Sequence, residues 1–110
     1  MTTVSLLIDT GATYSLISSE FIQRSKYLSS LPRQTISEPI SLKIGNGDFI
    51  TVTQFIKARF NIQDVPVCSK FYVLPYTNAY PILLGVESMQ ELSCKIDFET
   101  HYMYIYFRQF

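Results

Sequence analysis

Asp9 is the residue in this chain whose surroundings best suit chemistry. It closes the apolar run Leu6-Leu7-Ile8 and opens into Thr10-Gly11-Ala12. Such a run reads as a buried strand, so the carboxylate at its end sits at the edge of a core rather than in open water. Gly11 permits a sharp turn and the close approach of another backbone, and the Thr10 hydroxyl can hold that turn. A carboxylate fixed in this way, with open space in front of it, can serve as a general acid or base. Asp-Thr-Gly is a weak signal by itself, because it also occurs in ordinary turns. Asp9 is nevertheless the one aspartate in such a setting. Asp48, Asp64 and Asp97 each precede a large apolar residue.

The other polar residues offer little competing chemistry. One His and two Cys make no metal-ligand pattern, and neither a metal nor another cofactor is expected. Cys68 and Cys94 read as buried, reduced thiols of a cytosolic protein, with a disulfide the less favoured reading. His101, Asp97 and Glu99 read as turn residues. Lys43, Lys57 and Arg59 read as exposed strand charges that discourage edge pairing. Nine Lys and Arg balance nine Asp and Glu, and the resulting net charge of zero argues against nucleic acid or an anionic membrane as the main partner. No apolar run approaches the length of a membrane span. Met1-Thr2-Thr3 lacks the basic start of a signal peptide, so secretion is not expected.

At 110 residues and 47% hydrophobic content, the chain reads as a single domain, 1–110, with a real core. Eight Tyr and eight Phe without a Trp favour strands over helices. Thr13 to Ile17 reads as a short strand. Ser18 and Ser19 are helix N-cap candidates, with Glu20 in the first turn of a helix reaching about Lys26. Leu28 to Pro39 is rich in Ser, Pro and Gln and reads as a loop. Ile40 to Ile44 alternates as a half-buried strand, Gly45-Asn46-Gly47-Asp48 is a hairpin signal, and Phe49 to Phe55 is the return strand. Ile56–Ile62 and Cys68–Leu74 are further strands joined through 63–66. A loop from Pro75 to Pro81 leads to Ile82-Leu83-Leu84-Gly85 and a short helix over Glu87–Leu92. Cys94–Phe98 and Tyr102–Phe107 form a last hairpin. The pattern is all-β and mainly antiparallel, with one or two short helices.

Two stretches change the weight of the Asp9 signal. Leu6-Leu7-Ile8-Asp9-Thr10-Gly11-Ala12-Thr13-Tyr14-Ser15-Leu16-Ile17-Ser18 resembles the active-site strand of the retropepsins, the aspartic proteases of retroviruses and LTR retrotransposons. Pro81-Ile82-Leu83-Leu84-Gly85 resembles that family's second signature, two apolar residues and a Gly before a short helix. The stretches lie in the family's order with a hairpin between them, and the likeness covers nearly the whole chain, closest to gypsy-type elements.

The resemblance implies a retropepsin-like acid protease fold that closes as a homodimer. It implies an aspartic endopeptidase acting on extended polypeptide, such as a Gag-Pol-like polyprotein, in the cytoplasm or within virus-like particles. A cellular protease of the ubiquitin-receptor kind shares the signatures, as would a domesticated module that only dimerises or binds peptide. Aspartic proteases use two carboxylates around one water, and this chain offers one, so the second must come from another copy. Such a pair shares a proton, as is established for aspartic proteases in general.

By resemblance, Asp9 is the acid/base, Thr10 bonds across the dimer axis and Gly11 presents its backbone to the substrate. Ala12 and Thr13 flank the peptide, Ile44, Gly45, Asn46 and Gly47 form a flap over it, and Leu83, with Tyr80 and Pro81 near it, lines a side-chain pocket. Many retroviral enzymes pair an acidic residue, here Thr13, with an Arg just past the signature Gly, where this chain has Val86-Glu87. Hydroxyls of Thr13 or Ser15 are the expected replacement. Retropepsins also carry more chain before the aspartate than the eight residues here, so a domain without those N-terminal strands is expected.

Overall fold

The computed structural model describes residues 6–43, 47, 49–62, 65–75, 81–92, 94–97, 99–100 and 102–105. Its strands are β1 (Leu6–Ile8), β2 (Leu16–Ser18), β3 (Gln34–Lys43), β4 (Phe49–Ile62), β5 (Val65–Leu74), β6 (Ile82–Leu84), β7 (Cys94–Asp97) and β8 (Tyr102–Ile105). Three short helices are α1 (Ser19–Arg24), α2 (Lys26–Ser30) and α3 (Val86–Glu91).

The first six strands form one sheet in the order β1-β6-β2-β5-β4-β3, and β7 pairs with β8 apart from it. Four of the pairings are antiparallel, while β1–β6 and β2–β5 run parallel. The all-β, mainly antiparallel reading therefore holds. β6 is inserted between β1 and β2, with Leu83 beside Leu7 on one side and Leu16 on the other. The two stretches that stand out in the sequence thus interlock, and the Asp9 turn is held from both flanks.

The core follows the apolar alternation. Ile17, Ile22, Leu28, Ile56, Ala58, Phe71, Ile82 and Leu84 pack in one cluster. Ile50, Val52, Tyr72 and Leu74 form a second, with Tyr14 and Leu16 against it. Full burial of each such large side chain stabilises the fold by about 1.5–3 kcal/mol, so the clusters fix the register of the strands that carry the site.

Differences from the sequence reading have local causes. α1 starts as expected, with the Ser18 hydroxyl accepting from the Phe21 N–H, but it stops at Arg24. Ser25 then caps a separate helix, accepting from the Leu28 N–H at 3.1 Å. Part of the expected loop is therefore α2, held by Leu28 in the core. The rest is strand from Gln34, although Ile36 and Ile40 are the only partly buried residues between Gln34 and Ile40. The register slips between Thr35 and Ile40, a span that holds Pro39. β4 is one continuous strand rather than two, and β5 begins at Val65 rather than Cys68. Cys68 is exposed, not buried, because it alternates with the core residues Val67 and Ser69.

Candidate active site

The Asp9 turn is built mainly from backbone bonds. The Asp9 N–H donates to the Leu84 carbonyl at 3.0 Å, which ties the end of β1 to β6. The Ala12 N–H donates to the Asp9 carbonyl at 3.2 Å and closes the turn. The Gly11 N–H donates to Asp9 Oδ1 at 2.9 Å, fixing the carboxylate against its own loop. Asp9 is half-buried, while Thr10 and Gly11 are exposed. A carboxylate oriented by one backbone donor, with its other oxygen uncommitted in the described contacts, can hold a water or a proton.

The second signature locks onto the residues that follow. Ala12 and Thr13 carbonyls accept from the Val86 and Glu87 N–H groups at 2.8 and 2.9 Å. These are the first amides of α3, whose N-cap, Gly85, supplies no side-chain bond. The catalytic-loop candidates thus satisfy a helix end that would otherwise be left open. Gly85 is required by space. A Cβ there would lie 2.6 Å from the Tyr14 carbonyl carbon and 2.9 Å from the Ala12 oxygen, both backbone atoms that cannot step aside.

Behind the loop lies a buried chain of hydroxyls. Ser15 Oγ accepts from the Gly85 N–H at 2.9 Å and bonds Ser88 Oγ. Ser69 Oγ lies 2.6 Å from Ser88 Oγ, and Glu91 Oε2 sits 3.4 Å beyond Ser69. Ser15, Ser69 and Ser88 are 1%, 5% and 2% exposed, so these bonds are made where water does not compete. The expected hydroxyl replacement therefore falls to Ser15. Thr13 contributes its carbonyl, and its side chain is exposed. Ser69 and Ser88 were not legible as site-supporting residues, because an isolated Ser in sequence ordinarily signals surface or cap.

The profile of the retroviral aspartyl protease family matches residues 1–108. The chain belongs to that family. A solved structure with a similar fold is the retroviral protease-like domain of Ddi1 from Leishmania major, with a TM-score of 0.65 and 16% identity over 93% of this chain and 73% of that one. No curated protein sequence matches the chain.

As a member of the retroviral aspartyl protease family, the chain brings several of the expected site residues together. Asp9, Thr10, Gly11, Ala12 and Thr13 form one loop interlocked with Leu83, which is half-buried on β6. Pro81 is half-buried, and its carbonyl accepts from the Ser18 N–H at 2.9 Å, a structural tie. Gly47 has a φ of 90°, with nothing within 4 Å of the position of a Cβ. Ile44, Gly45, Asn46 and Tyr80 lie outside the described residues, as do His101, Tyr106 and Phe107.

Proposed function

We propose that this chain is an aspartic endopeptidase that works as a symmetric homodimer and cleaves extended segments of a Gag-Pol-like polyprotein. The observation that carries the reading is the Asp9 turn, a half-buried carboxylate fixed by the Gly11 N–H at the edge of an interlocked sheet. One such carboxylate cannot be acid and base at once, so two copies would bring two Asp9 side chains to the two-fold axis. There the unprotonated carboxylate takes a proton from water, the protonated one polarises the peptide carbonyl, and the water oxygen attacks the carbonyl carbon. Gly11 and Ala12 present the loop to the peptide, Leu83 lines a side-chain pocket with Pro81 and Tyr80 near it, and the hairpin carrying Ile44–Gly47 covers the bound chain. Action in the cytoplasm or in virus-like particles is part of the same proposal.

The likeness to the Ddi1 domain favours a second reading, a cellular protease-like domain of the ubiquitin-receptor kind. Both readings place Asp9 at the chemistry and differ in substrate. The test is cleavage of a peptide library and of a matching polyprotein junction by the unmodified chain and by Asp9→Asn. Cleavage of the junction by the unmodified chain alone supports the first reading. Cleavage of library peptides but not of the junction supports the second, and equal cleavage by Asp9→Asn overturns both.

A further inference from the structure

The outer face of the β4–β5 hairpin carries positive charge that the Asp9 chemistry does not use. Lys57 stands directly opposite Lys70, and Arg59 opposite Cys68, so these side chains share one face of the ladder. Lys57, Arg59 and Cys68 are exposed and Lys70 is half-buried, while Ile56, Ala58 and Phe71 turn the other way into the core. Like charges directly opposite one another destabilise a sheet. No acidic side chain offsets them among the described residues, where the ion pair found is Arg24–Glu20 on α1.

Beside these cations runs a groove of about 480 Å³, lined by Tyr27, Lys57, Arg59, Phe60, Asn61 and Cys68, with no carboxylate among them. It follows a sheet edge, because the β3 pairing reaches only Phe55 and the rest of β4 pairs with β5 alone. That edge is closed to an added strand at one point, where the Arg59 N–H already donates to the Tyr27 hydroxyl at 2.9 Å. Recognition here therefore falls to side chains.

The face is also continuous with the loop that leaves Asp9. Lys70 Nζ lies 4.2 Å from the centre of the Phe55 ring and 5.1 Å from that of Tyr72. The Tyr72 ring meets Tyr14 edge-on at 5.1 Å. The cation–π contacts hold Lys70 in place and reduce the ordering needed when an anion arrives.

We propose that this face docks an acidic segment of the polypeptide substrate, apart from the bond that is cut. The proposal rests on the peptidase reading for the identity of its occupant. Arg59 offers a planar fork to a carboxylate, Lys57 and Lys70 supply point charges, and Tyr27 and Phe60 give the groove apolar walls for the stems of Glu side chains. A protein of zero net charge with only three of its nine cations on this hairpin suits a short acidic stretch better than a long polyanion.

The test is fluorescence anisotropy with the full chain carrying Asp9→Asn, so that no probe is cut. The probes are a Glu-rich 12-residue peptide, the same peptide with Gln for Glu, and a single-stranded oligonucleotide. The Glu peptide should bind about tenfold more tightly than the Gln peptide at low salt, since a few screened contacts suffice for that ratio. The advantage should vanish with K57Q and R59Q together and shrink at high salt. The melting temperature of that double variant should not fall, because the Lys57–Lys70 repulsion is relieved. Equal binding of the two peptides, an advantage untouched by K57Q/R59Q, or an oligonucleotide that outcompetes the Glu peptide would each overturn the proposal. Because binding is read without cleavage, an inactive chain would sink the peptidase reading and leave this result interpretable.

Discussion

Exchanging the Asp9 carboxylate for the amide of Asn removes the ionisable group yet leaves Oδ1 able to accept from the Gly11 N–H, so the turn should persist. Cleavage should be lost while the melting temperature stays within a few degrees. Asp97→Asn, on the separate β7–β8 ribbon, should leave the rate within a few-fold, and any cleavage that survives Asp9→Asn argues for a different catalytic group. The hydroxyls behind the loop act differently. Ser15→Ala leaves the Gly85 N–H and the Ser88 hydroxyl without their buried partner, which costs about 1–3 kcal/mol by urea denaturation. Because Gly85 adjoins Leu84, whose carbonyl holds the Asp9 N–H, kcat should fall more than KM rises. Ser15→Thr keeps the hydroxyl and should recover part of both losses. Unchanged stability in Ser15→Ala would show that the buried chain is dispensable. At this scale the sequence disclosed the candidate residue and one of its supports. Asp9 is marked by its neighbours in the chain, and Ser15 by its nearness to them. Ser69 and Ser88 become partners only through the pairing of distant strands.

Among the elements, those with strong local punctuation were legible and those stabilised from a distance were not. Leu6–Ile8 and the return strand from Phe49 announce themselves by an apolar run or alternation, and α1 by its Ser18 cap. The first half of β3 is polar and mostly exposed, so only its ladder to β4 makes it a strand. Two elements carry predictions. Gly47 sits at a φ of 90° in open space, so Gly47→Val meets no neighbour and acts through backbone strain alone. Peptide cleavage should fall several-fold, with little change in melting temperature because the strain stays in an exposed tip. Unaltered activity would show that the hairpin does not work as a flap. In the β7–β8 hairpin, Asp97 Oδ1 accepts from the Thr100 and Glu99 N–H groups at 3.3 and 3.0 Å. Bonds from the Thr100 backbone and side chain, then from the Glu99 N–H, hold the carboxyl below its ordinary pKa. A carboxyl with a lowered folded pKa stabilises the turn above its unfolded pKa of about 3.9 and loses that contribution as pH falls through the folded value. The Thr100 amide should therefore lose protection from hydrogen exchange over that acid range, with no such step in Asp97→Ala. An identical profile in both proteins would remove Asp97 from the account.

For the molecule as a whole, the C-terminal hairpin is the element that needs cover from beyond its own two strands. β7 and β8 pair only with each other among the described strands, outside the six-stranded sheet. A two-stranded ribbon alone is marginally stable in water. The stretch that begins with β8, Tyr102-Met103-Tyr104-Ile105-Tyr106-Phe107, is apolar or aromatic at every position in sequence, a composition ill suited to solvent. α3 lies against β7, so the subunit's own fold approaches the ribbon there. If the protein dimerises to bring two Asp9 side chains together, the rest of the ribbon is the natural place for the second copy. Several buried aromatics there would supply much of the association energy. Deleting Tyr102 to Phe110 should therefore give a monomer or an aggregate without protease activity, whereas Asp9→Asn should remain a dimer. Sedimentation equilibrium on both proteins reads the difference directly. A folded, dimeric truncation would place the interface elsewhere. A monomeric Asp9→Asn protein would mean that the aspartates themselves, rather than the hairpin, hold the two copies together.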